Sequence, residues 1–243
     1  MNHKRMMKCV LLCSVFLLKT VNLAHGQAVG SVNEQKVALL KWYAASQSDN
    51  KFSVGSAPRG VAYDGANIWV ANSSGSTVTK LRAIDGANLG SFDVGSMPTG
   101  VAYDGAYVWV VNSGSNNVTK LRPADGAKMG TFGVGVFPNS AAFDGASVWV
   151  TNNFDGTVTK LRATDGSNLG VFNVGSLPTG IAFDGANMWV ANLSGEQGGV
   201  TKLRAADGAN LGTFKAGSGP NGVAFDGANI WVTNIVGNTV SKL

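Results

Sequence analysis

"GVAYDGANIWVANSSGSTVTKLRAIDGANLG", residues 60–90, contains Asp-Gly-Ala-Asn twice, and close copies of the stretch return four more times before residue 243. Within it, four short runs rich in β-branched and aromatic residues (GVAYDG, NIWVAN and TVTKLRA, then NLGSFDV reaching residue 94) are separated by turn residues and read as strands. Asp64-Gly65 between runs one and two, and Asp85-Gly86 between runs three and four, predict hairpin turns. Glycine accepts positive φ without steric cost, and Asp bonds its own backbone. Asp-Gly-Ala-Asn therefore occurs twice because one unit holds two such hairpins.

The copies are strictly spaced. Trp69, Trp109, Trp149, Trp189 and Trp231 follow one another at 40, 40, 40 and 42 residues, each preceded eleven residues earlier by a proline: Pro58, Pro98, Pro138, Pro178 and Pro220. A period near 40 with four strands per unit predicts an all-β fold, a β-propeller of four-stranded antiparallel blades. Repeats start near residues 54, 94, 134, 174 and 216. Residues 51–54 (Lys-Phe-Ser-Val) resemble the fourth run (Ser91-Phe92-Asp93-Val94), while the last unit stops after its third run at residues 239–243. This predicts five blades over 51–243, closed by the N-terminal strand so that no long edge is left open. The alternative is that the five units form part of a larger ring built by two chains.

Upstream, Lys4, Arg5 and Lys8 precede an apolar run at residues 9–18, and Ala24-His25-Gly26 offers small residues at a cleavage site. This is the pattern of a cleaved signal peptide, residues 1–26, and it predicts a secreted or periplasmic protein. The run is about ten residues, against roughly 20 for a membrane span. Lys4, Arg5, Lys8 and Lys19 belong to this leader, so 15 of the 19 Lys and Arg remain to face 14 Asp and Glu. The whole-chain charge of +5 is thus no argument for nucleic acid. Both cysteines (Cys9, Cys13) and both histidines (His3, His25) also lie in the leader. The mature part has no thiolate chemistry, no disulfide and no histidine base or ligand. Residues 27–50 include "NEQKVALLKWYAAS", whose Val37, Leu40 and Ala44 share a stripe beside Leu39, Trp42 and Tyr43, as in a short amphipathic helix docked on the propeller.

The motifs WVAN, WVVN, WVTN, WVAN and WVTN follow a Gly-Val-Ala-Phe/Tyr-Asp-Gly type of strand and precede Val-Thr/Ser-Lys-Leu. In this they resemble the YVTN and NHL-like propeller repeats of secreted bacterial proteins, the class that also holds the streptogramin B lyases. The resemblance implies the propeller fold. For the lyases it implies a histidine with acidic partners around a divalent metal, and the mature chain has no histidine to fill that role.

Each motif has a plain structural reading. The tryptophans sit mid-strand and are expected to wedge between blades. The closing asparagines (Asn72, Asn112, Asn152, Asn192, Asn234) are expected to bond backbone at strand ends. Lys80 and Arg82 with their counterparts form a basic stripe on the third strand, expected to be solvated and neutralised by the turn aspartates. The nine Asp-Gly hairpins place one carboxylate each around a ring, so no metal site and no cofactor are expected.

Comparing the units shows where the chain varies. The one-two and three-four turns barely change, whereas the two-three loops read SSGS, SGSN, NFDG, LSGEQGG and IVGN, and the residue after each proline is Arg59, Thr99, Asn139, Thr179 or Asn221. In a meander, the two-three loop and the link to the next blade emerge on the same side, and binding sites are commonly carried by loops on a rigid scaffold. The expected recognition face therefore carries Arg59, Phe137, Asn139, Asn153, Phe154, Asp155, Glu196 and Gln197, for a protein or glycan partner. Loops tolerating change more readily than Asp-Gly turns would give the same pattern. The expected function is a non-catalytic binding or scaffolding propeller; a lyase-type enzyme and a purely structural envelope protein are the alternatives.

Overall fold

The computed structural model describes residues 51–193 and 198–243. The expected leader, the helix expected within 27–50, and Glu196 and Gln197 lie outside the described residues. Within the unit Phe52–Leu243, the described residues form 19 strands and no helix. The first sheet is β1 (Pro58–Tyr63), β2 (Asn67–Asn72), β3 (Thr77–Arg82) and β4 (Asn88–Asp93). The second is β5 (Pro98–Tyr103), β6 (Val108–Asn112), β7 (Asn117–Leu121) and β8 (Lys128–Gly133). The third is β9 (Pro138–Phe143), β10 (Ser147–Asn152), β11 (Thr157–Arg162) and β12 (Asn168–Asn173), and the fourth is β13 (Pro178–Phe183), β14 (Asn187–Asn192), β15 (Gly199–Arg204) and β16 (Asn210–Lys215). The fifth has three described strands, β17 (Pro220–Phe225), β18 (Ile230–Asn234) and β19 (Thr239–Lys242). Every sheet is an antiparallel meander in chain order, and the protein is a β-propeller.

The turns form as the residues dictate. Asp64 Oδ1 accepts from the N–H groups of Ala66 (2.9 Å) and Asn67 (2.6 Å) around Gly65 at φ 97°. Asp85 Oδ1 accepts from Ala87 N, and Gly86, at φ 72°, donates to Arg82 O. The asparagines close the blades: Asn152 Oδ1 accepts from Gly135 N at 3.0 Å, and its amide donates to Thr157 and Thr159; Asn72, Asn192 and Asn234 accept in the same way, whereas Asn112 Oδ1 is buried without a partner.

Strand register sorts residues onto two faces. Trp69, Lys80 and Gly90 stand opposite one another across β2, β3 and β4, and form one face with Val78 and Phe92; Val61, Val70 and Thr79 lie on the other. The Trp-bearing face of each sheet packs on the opposite face of the next. Trp69 and Val78 meet Val108, Val110 and Leu121; Trp149 and Val158 meet Ile181, Met188, Val190 and Leu203. Between neighbours, Phe92, Phe132 and Phe172 cover the turn glycines Gly126, Gly166 and Gly208, where an added Cβ would strike the ring. The core is thus a set of four inter-blade layers, anchored by Trp69, Trp109, Trp149 and Trp189; Trp231, expected to wedge between blades like the others, is 40% exposed on the last sheet, where among the described residues no following blade covers it.

The basic stripe divides, contrary to the expectation of a solvated surface. Lys80, Lys120 and Lys160 are buried. Their ammonium groups donate across the junction to carbonyls of the next blade's three-four turn: Lys80 to Pro123 O (2.6 Å), Lys120 to Ala163 O (2.6 Å) and Lys160 to Ala205 O (2.7 Å). Each also sits over its own blade's indole, with Lys120 Nζ 4.9 Å from the Trp109 centroid, a favourable cation–π placement. The arginines match the expectation, half exposed and paired with Asp85, Asp125, Asp165 and Asp207, as does Lys242 of the last sheet, which is exposed. Lysine lies mid-sheet opposite tryptophan, where the next blade covers it, and arginine lies two residues on at the strand end.

Inner strands β1, β5, β9, β13 and β17 pack successively on one another. Among the described residues β17 and β1 do not pack in this way, residues 51–57 form no strand, and β19 pairs with β18 alone. Phe52 nevertheless lies against Gly86 as Phe92 lies against Gly126, so residues 51–54 hold the place of a fourth strand ahead of the first blade.

Candidate recognition face

In every blade the two-three loop is tied to the link that precedes the first strand. Ser73, Ser113, Asn153, Leu193 and Ile235 donate backbone N–H groups to the carbonyls of Ala57, Met97, Phe137, Leu177 and Gly219. The variable segments therefore do emerge together at one end. The residue before each repeated proline adopts a left-handed backbone, with φ near 50° at Ala57, Met97, Phe137 and Leu177 and a glycine, Gly219, in the fifth unit. Such a conformation is costly for a side chain bearing Cβ and persists only where its surroundings enforce it.

In the third blade this geometry places two aromatic rings together. Phe137 and Phe154 stack with centroids 4.6 Å apart and planes 10° from parallel. Phe154 is 64% exposed. Asp155 Oδ2 accepts from Val136 N at 2.6 Å and fixes the loop beneath them. Asn153, by contrast, is buried and donates its amide to Pro178 O at 3.0 Å, which holds the link to the fourth blade.

Two residues further along the chain, Asn139 joins Arg59 in lining a cavity of about 320 Å³ between β1, β5 and β9, together with Thr99 and Ser140. Thr99 Oγ1 is occupied by Ser113 and by the carbonyl of Asn139. Arg59 is the one charged residue among β1, β5, β9, β13 and β17. Sequence reasoning missed the glycines that shape this cavity. A Cβ on Gly60 would collide with Thr99 O, and one on Gly100 would stand 2.8 Å from Asn139 O. Glycine at the second position after proline in four of the five units was the available signal.

At the opposite end the polar groups are consumed internally. Trp69, Trp109, Trp149, Trp189 and Trp231 each donate Nε1–H to an aspartate five residues earlier, at 2.7 Å. Burial pushes the Asp64 and Asp184 carboxyls up, but hydrogen bonds from the indole, the neighbouring Asn and the turn backbone together outweigh it and hold both below the ordinary value. In Asp226 the Trp231 and backbone donors lower the carboxyl strongly. A carboxyl depressed in the fold contributes stability that is complete above the unfolded value, about 3.9, and is lost as pH falls through the folded value. The melting temperature is therefore expected to be level from pH 7 to about pH 5 and to fall below about pH 4, with the acid limb shallower in Asp184→Asn. Scanning calorimetry from pH 2 to 7 checks this; equal acid limbs in both proteins would contradict it.

Among the described residues no three His, Cys, Asp or Glu side chains gather as a metal site requires. No protein-family model and no curated protein matches the chain. Solved structures similar to it include the hydrazine synthase of Kuenenia stuttgartiensis, 20% identical, TM-score 0.67, covering 77% of this chain and 58% of that one. A streptogramin B lyase is 15% identical with a TM-score of 0.68, over 79% of this chain and 67% of its own. Virginiamycin B lyase of Staphylococcus aureus is 16% identical with a TM-score of 0.65, over 79% and 69%. The chain thus spans little more than half of the first of these, and at such identity the likeness is one of fold.

Proposed function

We propose that this chain is a non-catalytic recognition propeller of the YVTN/NHL-like type, acting outside the cytoplasm and binding a glycan or protein with its loop-rich end. The observation that carries the reading is the stack of exposed Phe154 on half-buried Phe137, on the link that leads two residues later to Asn139 in the cavity lined with Arg59, while the aspartates at the other end are spent on their own turns and indoles. Flat aromatic faces take apolar faces of sugars or side chains, and a nearby guanidinium and amide supply directional hydrogen bonds. The leader expected at residues 1–26 supports export. The lyase alternative gains nothing from the described residues, which contain no histidine.

The test is thermal shift with cellotetraose, chitotetraose and tetragalacturonate. A ligand that binds only the folded state raises the melting temperature by mass action. The expected result is a rise with at least one sugar that is lost in Phe154→Ala, whose own melting temperature stays within about 2 °C of the parent because the ring is exposed. If no oligosaccharide shifts the parent, or if Phe154→Ala shifts equally, the glycan reading fails.

A further inference from the structure

The four junctions between successive blades share one apolar design, three of them with a lysine bonded across, and the described residues present both halves of a fifth junction without joining them. On the Trp-bearing face of the fifth sheet, Trp231 is 40% exposed and Val240 59% exposed, where Trp69, Trp109, Trp149, Val78, Val118 and Val158 are at 0%. A cavity of about 430 Å³ opens there, lined by Thr233, Asn234, Ile235, Asn238, Thr239 and Val240. On the opposite face of the first sheet, Val61 is 63% and Tyr63 57% exposed, although their equivalents Val101 and Tyr103 pack against the cluster that holds Trp69.

The polar groups match as well. Lys80, Lys120 and Lys160 each reach two carbonyls in the following blade's turn, at positions equivalent to Ala83 and Ile84 of the first blade. Lys242 has the same place above Trp231, 5.6 Å from the ring centroid. In β3 and β4, Val78 pairs with Phe92 and Thr79 with Ser91. The same register sets Val240 against Phe52 and Ser241 against Lys51. Residues 51–54 already stand where a preceding blade's fourth strand belongs, with Phe52 on Gly86, yet they do not pair with β19 of their own chain.

We propose that the missing junction forms between two copies of this chain. The first blade of one copy docks on the fifth blade of the other, and residues 51–54 of the first add to β19 of the second as its fourth strand. Lys242 then donates to the carbonyls of Ala83 and Ile84 in the other copy, and Trp231 is covered beside its Tyr63. A second copy is the occupant because both complementary faces belong to this chain, and four internal examples show that they fit. An added strand also satisfies an open edge, a common mode of association. The contact is head-to-tail, so it either closes a ring or continues into longer assemblies.

The experiment is light scattering after size exclusion on the full chain and on two variants at exposed positions, Val61→Glu and Val240→Glu. The first blocks the leading face and the second the trailing face. The expected result is two or more copies for the parent, one for each variant alone, and a 1:1 heterodimer, twofold in mass, when the variants are mixed. Mixing restores one unblocked pair of faces, and a variant that merely failed to fold would not do so. A monomeric parent would overturn the proposal, as would variants that assemble alone or that stay monomeric when mixed. None of these outcomes depends on whether the loop end binds a sugar.

Discussion

Trp149→Ala is expected to lower the free energy of unfolding by about 3–5 kcal/mol, the range for deleting a fully buried aromatic side chain. Trp149 is at 0% exposure in the layer between the third and fourth blades, packed with Val158, Ile181, Met188 and Leu203, and tilted against Phe172 at 5.4 Å between centroids. Its loss opens a cavity that Phe172 and Met188 cannot fill without leaving their own contacts, and it leaves Asp144 without the indole donor. Trp231→Ala removes the same atoms from a residue that is 40% exposed, and at protein concentrations low enough to keep the chain monomeric it is expected to cost less than half as much. Urea denaturation of both variants measures the difference. Because each blade contacts only its neighbours, the Trp149 variant should also broaden or split the transition, as a linear array does when one coupling is weakened. Equal losses for the two tryptophans would show that the inter-blade layers do not carry the stability.

The place of these tryptophans was legible in the sequence, and the reason is periodicity. A residue that recurs every 40 positions between β-branched neighbours, with Asp-Gly turns at fixed offsets, leaves one solution in which each copy has the same environment. The same argument places Asn72 and Asn152 at strand ends. The job of Asp64 beyond its turn went unread: the spacing of five residues to tryptophan recurs in every unit, but nothing in local turn chemistry requires the carboxylate to reach an indole. The Phe137–Phe154 stack could be picked out only as variation. What brings the rings together is a pair of backbone bonds, Asn153 N to Phe137 O and Phe154 N to Val136 O, and such bonds carry no residue signature. Ring closure was the least legible feature, since residues 51–54 fit a fourth strand by pattern and the pattern does not say whose sheet they complete.

The lysines show the limit of reading charge along a strand, and they carry the second large effect. Alternation puts Lys160 and Arg162 on one face, and by composition both look like solvated cations. Their environments differ because the acceptors for Lys160, the carbonyls of Ala205 and Ala206, lie 45 and 46 residues downstream, beyond any local pattern. Lys160→Met keeps most of the aliphatic stem and its packing on Trp149 but removes the donor, leaving the buried Ala205 carbonyl without its partner. A buried carbonyl deprived of its donor costs about 1–3 kcal/mol, and the lost cation–π contact at 4.8 Å adds to this, while relief from burying a charge subtracts. The net expected change is a destabilisation of about 2 kcal/mol, or a fall of roughly 4–8 °C in melting temperature for a domain of this size. Arg162→Met, two residues away, removes a half-exposed ion pair with Asp165 and is expected to leave the melting temperature unchanged within error. Calorimetry on the two variants side by side distinguishes a staple between blades from surface charge. If Lys160→Met is as stable as the parent, the desolvation of the ammonium cancels its hydrogen bonds, and the junctions are held by the apolar layer alone.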